Sequence, residues 1–352
     1  RLDEIINNNK GQYIKLIKAF DILIKNKHPF YIYIKNKIAK DLNRTFCAET
    51  SFKAEENIIK LGNILHSFTV RNVSLNYCQG LNTIAGYFLK MMDFSEEKAF
   101  YLFLVLLEQK QILPYDYYLF GIGVEIDLNV INIILRKYEK DLMEYLDKIQ
   151  GNIIIIAVLT QFITSLFTFK MDGNLTNILF NCFFGFFLLE ENKENVFFYF
   201  YKIIIGIFKS IKDELMNCKD FKDISNVFNF EKKPNKNIIE SIIYYTLFQS
   251  ENDFDLNEAK NIRQNELNKI ISNRKEKFKF ENKENIKCNL NYPICVNECN
   301  TFPLQLKIAY EKINKKEDEN NINNNEVKDN EENDEEILRD IIVERRNHFC
   351  QK

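Results

Sequence analysis

The chain has 352 residues, with 48 Lys and Arg against 50 Asp and Glu, and 46% of its residues are apolar. That length and apolar content allow one large domain or two smaller ones with a sizeable core. The net charge of −2 excludes the global positive field of a nucleic-acid-binding chain. Ten Gly and five Pro over this length fit long helices with few designed turns, and 31 Phe with no Trp supply the aromatic volume. The eight Cys (Cys47, Cys78, Cys182, Cys218, Cys288, Cys295, Cys299 and Cys350) are irregularly spaced, and several lie inside apolar helical patterns. They read as free thiols in a reducing compartment. Arg1 is not an initiator methionine, so the sequence is expected to continue upstream.

In chain order, residues 1–45 predict two helices. Ile14, Leu16, Ile17, Phe20 and Leu23 form the stripe of the first. His28-Pro29 breaks it, because the residue before Pro avoids the helical region. The second runs from about Tyr31 to Arg44. Residues 53–70 predict an amphipathic helix with Ile58, Leu61, Leu65 and Phe68 on one face. Arg71-Asn72-Val73-Ser74 leads into a polar break, N76-Y-C-Q-G-L-N82, and a further apolar helix follows from about Leu81 to Met92. Ser95 is placed to cap the next helix, with Glu96 and Glu97 in its first turn, where carboxylates favour the helix dipole. Pro114 closes this half.

Residues 121–150 give another helical pattern through Ile126, Val130, Ile134 and Tyr138, with a turn at Gly151. The segments 153–169, 178–189 and much of 196–208 are nearly all apolar, which raises a membrane reading. A spanning helix needs about 20 predominantly apolar residues. The first run is shorter and holds Thr160, Gln161 and Thr164, and Lys202 interrupts the last. Buried core helices are the expectation. Residues 238–249 and 256–275 are the last domain helices, and Asp255-x-x-Glu258 has the form of a capping box. From 276 the chain is an Asn/Lys/Glu-rich extension. Residues 314–336 are expected to be disordered, with a short charged helix near 334–347.

The polar break and the helix end near Arg44 carry the chemistry. Ile38, Asp41 and Arg44 recur at spacing three, so a helix sets them along one face. Gly80 lets the backbone turn or approach another surface closely, and Gln79 presents an amide that both donates and accepts. Taken singly, an Asp–Arg pair at this spacing reads as a surface ion pair and a Tyr-x-Gln-Gly segment as a turn. Together they resemble the TBC domain of Rab GTPase-activating proteins, whose hallmarks are an IxxDxxR helix and a YxQ loop about as far apart. The stretches DLNRTF (41–46), LGNILHSFTVRNVSLNYCQGLNTIAGYFL (61–89), EEKAFYLFLVLLE and LPYDYY extend the resemblance. It is strongest over residues 38–120.

The resemblance implies an all-α, two-lobed helical TBC domain over 1–275. It implies that Arg44 is an arginine finger and Gln79 a glutamine finger, supplied in trans to a Rab-family small GTPase in its GTP form. Asp41, Tyr77, Gly80 and Ile38 would support them. The chain would have no cofactor of its own, because GTP and Mg²⁺ belong to the GTPase. It would be cytoplasmic and act in vesicle trafficking, associating peripherally with endomembranes through the Rab. The family's opening Arg and Trp, four residues apart, are not found here, so the first helices of the domain are expected to be missing or diverged. Its later Trp-Asp pair falls at Phe180 and Asn181, which keeps aromatic volume and loses a charge.

Two rival readings remain at the sequence level: a catalytically inactive TBC scaffold that binds a small GTPase, and a polytopic membrane protein built on 153–208. No Gly-rich phosphate loop is present. Cys288, Cys295 and Cys299 with His348 lack the spacing of a zinc site, so no metal is expected.

Overall fold

A computed structural model describes residues 2–46, 52, 54–72, 77–108, 112–114, 117–118, 122–169, 173, 175–181, 197–230, 236–248 and 255–281. The expected disordered tract at 314–336, the helix near 334–347 and the Cys288–Cys299 cluster lie outside them. Among the described residues all regular structure is helical. The chain divides into two compact units, 1–263 and 264–352.

The first half of unit one holds α1 (Leu2–Asn8), α2 (Gln12–Lys25), α3 (Pro29–Leu42), α4 (Glu55–Arg71), α5 (Leu81–Met91) and α6 (Glu96–Glu108). Three helices therefore stand where the periodicity of 1–45 predicts two. Gly11, at φ 79°, is left-handed and separates α1 from α2. Pro29 opens α3, where its missing N–H costs nothing. α2 and α3 both pack on α4, and α4 and α6 pack on α5. The core follows the sequence pattern: Leu61, Leu65 and Phe68 are fully buried, and so is Ile38. At α6 the Ser95 carbonyl accepts from the Ala99 amide at 3.0 Å.

The second half holds α7 (Ile122–Tyr138), α8 (Lys140–Lys148), α9 (Asn152–Ser165), a helical stretch over 175–181, α10 (Tyr199–Ser210), α11 (Lys212–Met216), α12 (Phe221–Val227) and α13 (Lys236–Phe248), followed by α14 (Leu256–Glu281). The single pattern expected over 121–150 is two helices, broken at Glu139. That buried carboxylate takes Lys212 at 3.0 Å, and an outward turn there would forfeit the pair. α10 is buried almost all round, as a run that is apolar apart from Lys202 and its last turn requires. α9 is not: Ile155, Leu159, Phe162 and Ile163 face inward, while Ile153 and Ile156 are exposed. No described helix is long and apolar enough to cross a membrane. At α14, Asp255 Oδ1 accepts from the Asn257 and Glu258 amides at 2.8 and 3.3 Å. The reciprocal half of the expected capping box is not made, because Glu258 instead takes Lys137 at 2.5 Å and Tyr138 at 3.3 Å.

His66 sits on α4 with its ring stacked on Phe20 at 4.1 Å and its Nε2 buried without a hydrogen-bond partner. Burial, with the Lys35 charge adding to it, lowers its pKa from 6.5 to about 4. The folded imidazole therefore stays neutral where the unfolded one takes a proton. Stability contributed by the neutral ring is present above pH 6.5 and is lost as pH falls toward 4. At 1.36 kcal/mol per pKa unit the loss reaches up to about 3 kcal/mol. Urea unfolding at pH 7 and pH 4.5 should show this slope in the wild type and a shallower one in His66→Gln.

Candidate functional site

The site forms where the C-terminus of α3, the segment leading into α5 and the C-terminus of α9 meet. α3 ends at Leu42, as the expected break at Thr45 requires, and Arg44 lies in the turn beyond it with its side chain 56% exposed. Its Nη2 donates to Asp41 Oδ1, and Asp41 is only 4% exposed. The other oxygen of that carboxylate accepts from the Tyr77 hydroxyl at 2.5 Å. Tyr77 is 1% exposed, and burial, reinforced by the Asp41 carboxylate, raises the pKa of its phenol far above the ordinary value. The phenol is therefore a permanent donor. Two residues on, Gln79 is exposed. One buried carboxylate thus links the turn that carries Arg44 to the segment that carries Gln79, and Ile38 fills the core beneath it.

Gly80 fixes where Gln79 sits. Its φ is 111°, which L side chains rarely adopt, and it opens α5. A Cβ there would lie 2.3 Å from the Thr164 carbonyl oxygen of α9. The loop can lie this close to α9 only because position 80 has no side chain. Backbone strain and overpacking each cost about 1–3 kcal/mol. Gly80→Ala should therefore lose roughly 2–6 kcal/mol in chemical denaturation, because backbone on both sides has to move.

Sequence reasoning missed the residues that hold this arrangement. Asn82 is 4% exposed; its Oδ1 accepts from the Gly80 amide at 3.0 Å, and its Nδ2 donates to Thr45 Oγ1 at 2.8 Å. It therefore joins the two segments a second time. Thr45 Oγ1 in turn donates to the Asp41 carbonyl at 2.7 Å. Lys37 Nζ donates to the Tyr77 carbonyl at 2.9 Å. Thr83 Oγ1 donates to the Gly80 carbonyl at 2.8 Å and accepts from Thr168 Oγ1 at 2.7 Å. Upstream, Glu108 accepts two bonds from Arg71, at 2.8 and 3.1 Å, and one from Asn72 at 2.7 Å, which clamps the end of α4. Tyr118 of LPYDYY donates to the Thr164 carbonyl at 3.1 Å, beneath Gly80. The only sequence signal for these residues is their place beside the motif.

The matching stretch for the family's Trp-Asp pair is split by burial. Phe180 is 5% exposed and packs on Tyr87 at 4.9 Å and Phe88 at 5.7 Å, so the aromatic volume is used. Asn181 is exposed.

The family model for the Rab-GTPase-TBC domain matches residues 2–216. The chain belongs to that family. The TBC domain here is 30% identical over 155 residues to the GTPase-activating protein GYP3 of Saccharomyces cerevisiae, covering 42% of this chain and 24% of that one. Bovine TBC1 domain family member 2A is 29% identical over 231 residues, covering 64% and 23%. The chain thus spans about a quarter of the length of these two curated relatives. Among solved structures, the YPT/RAB-GAP domain of Gyp1p superposes with a TM-score of 0.58 at 15% identity, covering 70% of this chain and 81% of that one. The Chlamydomonas flagellar RabGAP TBC domain gives 0.51 at 16% identity, covering 70% and 75%. These two matches carry the all-α TBC fold.

Proposed function

We propose that this TBC domain accelerates GTP hydrolysis on a Rab-type small GTPase by presenting Arg44 and Gln79 to the nucleotide site of that GTPase. Hydrolysis moves charge onto the phosphate oxygens and needs the attacking water held in line. Arg44 suits the first task, because a guanidinium is always charged and offers a planar fork of donors. Gln79 suits the second, since its carbonyl accepts from water while its amide NH₂ donates to phosphate. GTP and Mg²⁺ are held by the GTPase and supply the reacting phosphoryl group and its counter-charge. Asp41 keeps the guanidinium near its working position before docking, which reduces the rotamer entropy lost on reaching the phosphates.

The observation that carries this reading is the shared anchor. Two exposed polar side chains stand on separate segments, and those segments are tied through one buried Asp41–Tyr77 hydrogen bond. A structural ion pair alone has no need of the second residue, and a plain turn has no need of the first. The domain would meet the GTPase in its GTP form, in the cytoplasm, and reach endomembranes through it. Single-turnover GTP hydrolysis with the wild-type chain against a panel of Rab GTPases tests the proposal. Stimulation of at least one member is expected. Binding of a GTP-loaded member with no stimulation of any would assign the same residues to a scaffold.

A further inference from the structure

Charge is not spread evenly over this chain. Between residues 10 and 44 stand nine Lys and Arg against two Asp, in a chain whose net charge is −2. α2 and α3 carry this segment, and both bury their apolar sides against α4. Their outer faces hold Lys18, Lys25, Lys35 and Lys40, with Lys27 in the turn between, and all five are exposed. None of the five has a carboxylate partner among the described residues. Asp21 is the one exposed acid on this helix pair; Asp41, the other acid, is buried and committed to Arg44 and Tyr77.

Apolar side chains stand among these lysines. Ile14 is 56% exposed, Ile32 37% and Tyr33 60%. On α2, Ile14, Lys18, Asp21 and Lys25 recur at spacings of four and three, so they share one side of the helix. On α3, Ile32, Asn36 and Ala39 do the same, with Lys35 and Lys40 flanking them. A solvated lysine face needs no isoleucine or tyrosine, and stray surface hydrophobes need no cluster of unpaired cations.

We propose that the outer face of the α2–α3 hairpin binds peripherally to an anionic membrane surface. Lysine heads sit at anionic headgroups while their stems lie along the boundary. Tyr33 suits the interface, where its ring is apolar and its hydroxyl wet. Ile14 and Ile32 enter the shallow acyl boundary, as on interfacial helices. A nucleic acid would also be drawn by the lysines, but it offers the two isoleucines nothing to bury against. Each lysine near an anionic leaflet is worth about fivefold in partitioning, so five supply roughly 10³-fold and leave the contact reversible.

The test uses the full chain and no GTPase, so its outcome is independent of the proposed activity. Sedimentation is measured with vesicles of phosphatidylcholine alone and of phosphatidylcholine mixed with phosphatidylserine. Binding is expected only to the mixed vesicles. It should fall as added salt shortens the screening length from about 10 Å at 0.1 M toward about 3 Å at 1 M. K18E/K25E/K35E/K40E should lose at least about a hundredfold. Ile32→Ser with Tyr33→Ser, which leaves the charge alone, should lose severalfold. All six positions are exposed; should the charge-reversed chain fail to fold, the uncharged pair and the salt series decide. Equal binding to both vesicle types, or binding unchanged in both variants, would overturn the proposal. Tighter binding to a single-stranded RNA than to the mixed vesicles would overturn it too, and assign the face to a polyanion.

Discussion

Arg44→Ala is expected to lower stimulated GTP hydrolysis by about 10³-fold or more, because an arginine finger is worth about 10³–10⁵ in rate. At 1.36 kcal/mol per tenfold this is roughly 4–7 kcal/mol of transition-state stabilisation. Arg44→Lys should remain strongly impaired, since an ammonium keeps the charge and loses the planar fork. Gln79→Ala should fall by a comparable factor if it orients the water. The two variants should differ in stability. Gln79 is exposed, so its loss is expected to be nearly neutral in a thermal melt. Arg44→Ala leaves the carboxylate of Asp41, 5% exposed, with the Tyr77 hydroxyl but without its cation, which should cost roughly 1–3 kcal/mol. A folded domain tolerates that loss and should still bind the GTPase. Single-turnover rates at saturating activator separate the catalytic effect from any weakening of the complex. A GTPase that binds wild type, Arg44→Ala and Gln79→Ala alike, and hydrolyses GTP at one rate with all three, would remove both residues from the mechanism.

The second large effect lies away from the site. Asp127 on α7 is fully buried and accepts from Arg263 Nε at 2.9 Å and from the Tyr201 hydroxyl at 2.5 Å. The side chain of Arg263 is 9% exposed, and its guanidinium lies over the Phe197 ring at 5.4 Å. This cluster joins α7, α10 and the start of α14. Removing one partner of a buried ion pair strands the other charge, so Asp127→Ala or Arg263→Ala should each lose about 3–5 kcal/mol in urea unfolding. That is a large fraction of the usual 5–15 kcal/mol. The pair is not expected to be worth as much as its single deletions suggest. Asp127→Leu with Arg263→Met removes both charges together and should recover a good part of the loss. If the double variant is as unstable as the two single losses added together, the two residues contribute independently and the stranded-charge account is wrong.

Much of the first half was legible in the sequence for a physical reason. A helix packed on one side repeats its apolar residues near 3.6, and Ile58, Leu61, Leu65 and Phe68 do so without ambiguity. The second half was less legible. Mostly apolar runs carry little phase, so α9 and α10 looked alike, yet α10 is buried almost all round and α9 leaves Ile153 and Ile156 exposed. The break of α7 from α8 at Glu139 was hidden because Lys212, which pairs with that carboxylate, lies far along the chain. The second half of the capping box failed similarly: Glu258 found Lys137 and Tyr138, which no local pattern announces.

By itself the sequence determined the helical class, most of the helix positions and the two side chains of interest, because periodicity and a short motif are local properties. The tertiary structure decided where those side chains sit and what holds them there. Whether Asp41 meets Arg44, Tyr77 or both depends on where α3 lies against the segment before α5. Why position 80 has to be Gly depends on a carbonyl of α9 more than eighty residues away. Such constraints come from three-dimensional close packing, in which a hydrogen-bond partner is chosen by proximity in space rather than by spacing along the chain.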